Sequence, residues 1–209
     1  MKKTFILFAI AVFPICIFAQ SYAVNLPGYS LDLGITVSTD DGNITNFYFG
    51  SIYKGTFEPK TSFDLTGNKQ SYECDEQNCK ISLSTSKKIL TYSYEMPCRS
   101  ESFGENGEIT KASYGDVIIK HIFTSNNGSM TYDNKEIYLM KKQNDGSYID
   151  NCYGQYKIEK SQIVDNIVRF TDEYNRKVSG RITEDESFYL TFTTSDDPSL
   201  QTVNIAYKN

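Results

Sequence analysis

Tyr29-Ser30-Leu31-Asp32-Leu33-Gly34-Ile35-Thr36-Val37-Ser38 is the stretch on which the fold turns. Tyr29, Leu31, Leu33, Ile35 and Val37 alternate with Ser30, Asp32, Gly34, Thr36 and Ser38. Successive side chains of a strand point to opposite faces, so this period of two predicts a half-buried β-strand. The pattern stops at Thr39-Asp40-Asp41-Gly42-Asn43, a turn signal, because glycine and asparagine tolerate the positive φ that a tight hairpin needs. A second strand is predicted over 44–57.

The same texture continues outward from this hairpin. Strand faces are predicted at Phe63/Leu65, Ile81/Leu83, Leu90/Tyr92/Tyr94/Met96, Val117/Ile119/Phe123 and Ile137/Leu139. Further faces fall at Tyr156/Ile158, Val168/Phe170, Val178/Ile182, Phe188/Leu190/Phe192 and Val203/Ile205. Turn signals separate them, among them Thr66-Gly67-Asn68, Gly104-Glu105-Asn106-Gly107, Asn126-Asn127-Gly128 and Asn144-Asp145-Gly146. No window of ten residues carries a helical apolar stripe. The fold expected is all-β, an antiparallel meander closing as a barrel or stacking as a sandwich.

The N-terminus reads as an export leader. Lys2 and Lys3 precede an uncharged apolar run from Phe5 to Phe18, followed by small residues at Ala19 and Ala23. A signal peptide over 1–19 is expected, with cleavage as late as residue 23. The apolar run is about 14 residues, short of the roughly 20 a membrane-spanning helix needs, so no stable membrane insertion is expected after cleavage. The mature chain is placed outside the cell, or in the periplasm if the source is a Gram-negative bacterium. It reads as one all-β domain over 24–209. Gly42, Ile44, Thr45, Phe49, Gly50 and Ile52 are weakly echoed in Gly107, Ile109, Thr110, Tyr114, Gly115 and Val117. A duplication would put a boundary between two sub-sheets near 98–107, and the favoured alternative is the glycine turns and alternation that any two β-hairpins share.

Cysteine usage follows from the compartment. Cys16 leaves with the leader, and Cys74, Cys79, Cys98 and Cys152 remain, an even number in an oxidising space. Three pairings are open. The expected one joins Cys74 to Cys79 across a short loop and Cys98 to Cys152 across a long one.

Charge and motifs then narrow the chemistry. The formal net charge is −5, and losing Lys2 and Lys3 makes the chain more acidic. Without a Lys/Arg cluster it lacks the concentrated positive charge that nucleic acid requires. His121 is the one histidine and lies in phase with Val117, Ile119 and Phe123, so it reads as a packed strand residue rather than a catalytic base. No Gly-x-Ser-x-Gly elbow or phosphate-binding glycine loop is present. No catalytic residue, metal ligand or cofactor is assigned. Carboxylates are plentiful but concentrate in turns.

Tyrosine is the unusual residue, with 16 in the chain. Tyr92, Tyr94, Tyr153 and Tyr156 are the expected binding surface, since a phenol packs its ring and keeps its hydroxyl wet. Asn43-Ile44-Thr45 and Asn127-Gly128-Ser129 fit the N-glycosylation rule, making Asn43 and Asn127 candidate acceptors. The expectation is a secreted, non-catalytic binding protein whose ligand is a partner protein or a small molecule. The alternatives are an extracytoplasmic hydrolase using two carboxylates and a structural or adhesive surface component.

Overall fold

The computed structural model describes residues 19–26, 33–73, 79–126, 128–195 and 200–206, and 67% of them are strand. In chain order the strands are β1 Gln20–Asn25, β2 Leu33–Asp40, β3 Asn43–Tyr53, β4 Thr56–Asp64, β5 Ser71–Glu73, β6 Lys80–Leu83, β7 Ile89–Phe103 and β8 Ile109–Asn126. They continue as β9 Ser129–Lys142, β10 Tyr148–Asp150, β11 Lys157–Ile158, β12 Ile167–Thr171, β13 Lys177–Ile182, β14 Phe188–Ser195, β15 Gln201–Thr202 and β16 Asn204–Ile205. The all-β expectation holds.

Two sheets divide the chain. The first has the order β15-β1-β2-β3-β4-β16. Its outermost strands, β15 and β16, are separated by Val203 alone, so one short segment pairs with β1 on one side and with β4 on the other. That seam draws the four-stranded meander into a nearly closed barrel. Gly34 stands opposite Gly50, where a bulge interrupts the β3–β4 ladder. A Cβ at Gly50 would lie 2.1 Å from the Glu58 carbonyl. Bulges and glycines of this kind are what let a sheet bend sharply.

The small barrel explains a departure from the expected pattern. β2 is buried on both faces rather than one. Ile35 and Val37 join the main core, whereas Thr36 looks into the barrel among Ala23, Tyr48, Ile52, Phe57 and Val203. The strand expected over 44–57 is also two strands. Lys54 and Gly55 take positive φ values of 47° and 75° and make a two-residue hairpin turn of the kind that suits strand twist. Tyr29 and Leu31 lie outside the described residues.

The second sheet has the order β12-β13-β14-β9-β8-β7-β6-β5, with β10 and β11 added beside β9. One of its faces packs on the outer face of the small barrel, and residues of both sheets share one core from Val24 to Phe192. Hydrogen bonds knit the layers where the Lys87 carbonyl accepts from the Ile44 N–H and the Gly42 carbonyl accepts from Lys88 Nζ and Ser125 Oγ. The architecture is thus a barrel-like sheet stacked on an open one. The changeover between sheets falls between β4 and β5. Positions 98–107 are instead the far end of the β7–β8 hairpin, whose two strands belong to one sheet.

One strand face is the reverse of the reading from sequence. In β9 the core takes Met130, Tyr132, Tyr138 and Met140, so Ile137 and Leu139 point outward. Residues 137–140 are apolar on both sides, and a period of two has nothing there with which to choose.

Candidate functional site

The base of the β7–β8 hairpin carries the buried polar chemistry. His121 is 0% exposed. Its Nδ1 lies 2.6 Å from the Tyr132 hydroxyl and its Nε2 3.4 Å from that of Tyr94. A neutral imidazole has one donor and one acceptor nitrogen, and a phenol takes either role. Tyr92, Tyr94 and Tyr132 stack on the ring at centroid distances of 5.9, 5.7 and 5.9 Å. Phe47 of the small barrel closes on Tyr92 at 5.2 Å. Tyr92 and Tyr94 are therefore interior residues and not the wet surface expected of them. A phenol serves a core as well as an interface once its hydroxyl has a partner; His121 supplies one to Tyr94 and a stacking face to Tyr92.

A second cluster gathers on Arg176, in the turn between β12 and β13. Its Nε donates to Asp172 at 2.7 Å, and its Nη1 lies 3.6 Å from Glu136. The guanidinium sits 4.5 Å over Phe192, 5.5 Å from Tyr174 and 5.7 Å from Tyr156. Tyr138 donates to Glu136 at 3.0 Å. Burial, then the adjoining Glu136 carboxylate, pushes the Tyr138 phenol well above its ordinary value. At Asp172 burial opposes ionisation, but hydrogen bonds from Arg176 and its charge outweigh it and hold the carboxyl below the usual range. Two carboxylates thus converge, with one guanidinium between them. A glycosidase pair needs one acid protonated and one ionised. Here one guanidinium bonds to Asp172, favouring its ionised form, and lies 3.6 Å from Glu136.

Between the clusters runs the link from β10 to β11. Asp150 is buried, and its Oδ1 accepts from the backbone of Cys152, Tyr153 and Gly154 at 3.0, 2.6 and 3.0 Å. Its Oδ2 accepts from Tyr156 at 2.7 Å. This fixes Cys152 for its disulfide with Cys98, across a Cα–Cα distance of 5.3 Å. Tyr153 and Tyr156 are half-buried and pack against the core. The four expected binding tyrosines hence form two separate groups. Cys79 is buried and disulfide-bonded, and its expected partner Cys74 lies outside the described residues. Asn43 opens β3 at a half-buried position, and Asn127 lies outside the described residues.

The feature that sequence reading missed is the outer part of the hairpin. β6 flanks β7 only as far as Ser93, and β9 flanks β8 only from Val117 onward. Beyond these points the ladder runs on from Pro97↔Asp116 to Phe103↔Ile109 as an arm that is two-stranded among the described residues. From Cys98 to the tip it overhangs by roughly 20 Å at the usual rise of a strand. The disulfide anchors its root, where Asn151 also packs against Gly115. Phe103 and Ile109 face each other at the tip and are 62% and 50% exposed. Alternating residues look the same in a flanked strand and in a free ribbon. Only the mismatch in length between β7–β8 and their neighbours tells them apart.

No protein-family model matches this chain, and neither the curated proteins nor the solved structures contain a match to it.

Proposed function

We infer that this chain is a secreted, non-catalytic binding protein that engages a partner protein through its β7–β8 arm. The observation that carries the reading is the anchored, unflanked ribbon with an apolar pair exposed at its end. A two-stranded ribbon is marginal in water by itself, and large exposed apolar side chains grouped together mark interaction sites. The root disulfide restricts the ribbon before any partner arrives, which lowers the entropy cost of binding.

The disulfide between Cys98 and Cys152 suits an extracytoplasmic space, and no helix among the described residues is long and apolar enough to cross a membrane. β1 begins at Gln20 and pairs with β2 from its first residue. Cleavage after Ala19 leaves this strand whole, whereas cleavage after Ala23 removes four of its six residues. Export with cleavage after Ala19 is therefore the version the fold favours.

The test is photo-crosslinking in the native extracellular fluid. A photoreactive residue at position 103 is expected to give one discrete protein adduct, and the same group at Tyr53, exposed on the small barrel, to give none. Equal labelling from both positions overturns the role of the arm. Turnover of any substrate that tracks the protein through stringent purification overturns the non-catalytic reading.

A further inference from the structure

The arm does not end at the edge of the body; its outward face is continuous with that of the second sheet. On β7 the inward positions are Leu90, Tyr92, Tyr94 and Cys98, all in the core. By the same count along β7 Phe103 takes the outward face, and a bulge on β8 that leaves Thr110 without a register partner brings Ile109 opposite it. On the body that face carries Ile118 and Ile137 as a direct cross-strand pair, with Leu139 opposite Tyr189. Tyr189 is 47% exposed. This is an apolar row at one end of the face and an apolar pair at the other.

Charge divides the same face in the same way. At the tip, Phe103 and Ile109 bracket Glu105 and Glu108 with no basic residue between them. On the body Lys120 stands directly opposite Lys135, next to the Ile118–Ile137 pair. Like charges directly across a ladder destabilise it, and neither lysine is ion-paired among the described residues. Asp133 and Glu95 lie one step away on β9 and β7, diagonal to Lys120. A pair of acids framed by apolar residues therefore lies about ten strand positions, or roughly 33 Å, from a pair of bases beside apolar residues.

Resting on the arm as the contact element, we propose that its occupant is a second copy of this chain: two molecules pack their outward faces about a two-fold axis. The tip of each, Phe103, Glu105, Glu108 and Ile109, lies on the Ile118, Lys120, Lys135 and Ile137 patch of the other. One face holds both halves of the match, so a two-fold satisfies both at once and closes the assembly at two. A head-to-tail arrangement uses one half per contact and leaves an open chain.

Charge exchange tests this in the full mature protein, by sedimentation across a wide concentration range. The wild type is expected to be a reversible dimer that weakens with salt, as exposed charge pairs do. Glu105→Lys with Glu108→Lys, and separately Lys120→Glu with Lys135→Glu, should each weaken dimerisation at least tenfold while circular dichroism stays unchanged. Mixing the two variants should restore a dimer of one copy of each, because both contacts then regain opposite charges. A wild type that remains monomeric at high concentration, a mixture that fails to pair, or assembly that grows beyond two overturns the proposal. A monomer that still crosslinks from position 103 to another protein overturns the self-pairing and leaves the arm as the contact element. A dimer indifferent to the arm variants overturns both.

Discussion

The two ends of the β7–β8 hairpin are built from the same pair of strands and live in different physical worlds. At the base, Tyr92 and His121 face each other with β6 on one side and β9 on the other, and every ring has a neighbour. At the tip, Phe103 and Ile109 face each other with no flanking strand among the described residues and half or more of their surface in water. The ladder between them is one continuous run. The contrast teaches that cross-strand pairing defines the ribbon, but flanking strands decide whether it is core or limb. Stability should therefore be concentrated at one end and recognition at the other.

That contrast can be broken most strongly at its base. His121→Ala removes a fully buried ring, opens a cavity and strips Tyr94 and Tyr132 of a partner, so unfolding in denaturant should show a loss of about 3–5 kcal/mol. Next comes the root. Cys98→Ser with Cys152→Ser should cost about 2–5 kcal/mol. Hydrogen exchange should then speed over 97–116 well before it does over 89–96 and 117–124. Uniform protection across the whole hairpin in that variant would show that the disulfide does not separate limb from body.

A smaller effect is expected on the body at Asp172. Its carboxyl is depressed in the folded state, so its contribution is present above the ordinary carboxylate range and is lost as pH falls through the folded value. Asp172→Asn should lower stability at neutral pH by about 1–2 kcal/mol and flatten the acid side of the stability curve. The smallest effect belongs to the tip. Phe103→Ser with Ile109→Ser should leave monomer stability within about 0.5 kcal/mol, while weakening the dimer seen by sedimentation. A larger loss of stability would make the tip part of the fold rather than a contact.

What was legible in the residues follows the same division. Local alternation and turn glycines located most strands, because a strand's two faces are written in its own sequence. Three matters were not local. Lys54 is not a turn residue by reputation, so the break after Tyr53 passed unread. Ile137-Tyr138-Leu139-Met140 offers apolar residues to both sides, and the choice belongs to Phe192 and Tyr156, which pack on Tyr138. Tyr92 and Tyr94 are suited equally to a wet interface and a dry stack, and His121, more than twenty positions away, settles them inside. The Arg176 cluster had no signal beyond scattered charge, since its members come from β9, β14, the β12–β13 turn and the edge of β11.

The seam at Gln201–Ile205 ties the order of folding to the order of arrival. Tyr22 is paired with Thr202, about 180 positions downstream, and contacts that distant are slow to form. During synthesis β1 and β4 emerge early with open borders and stay unsealed until Val203 is delivered. During that interval the nascent molecule exposes the strand margins most prone to stray pairing. Its yield should depend on how quickly the C-terminal stitch is made.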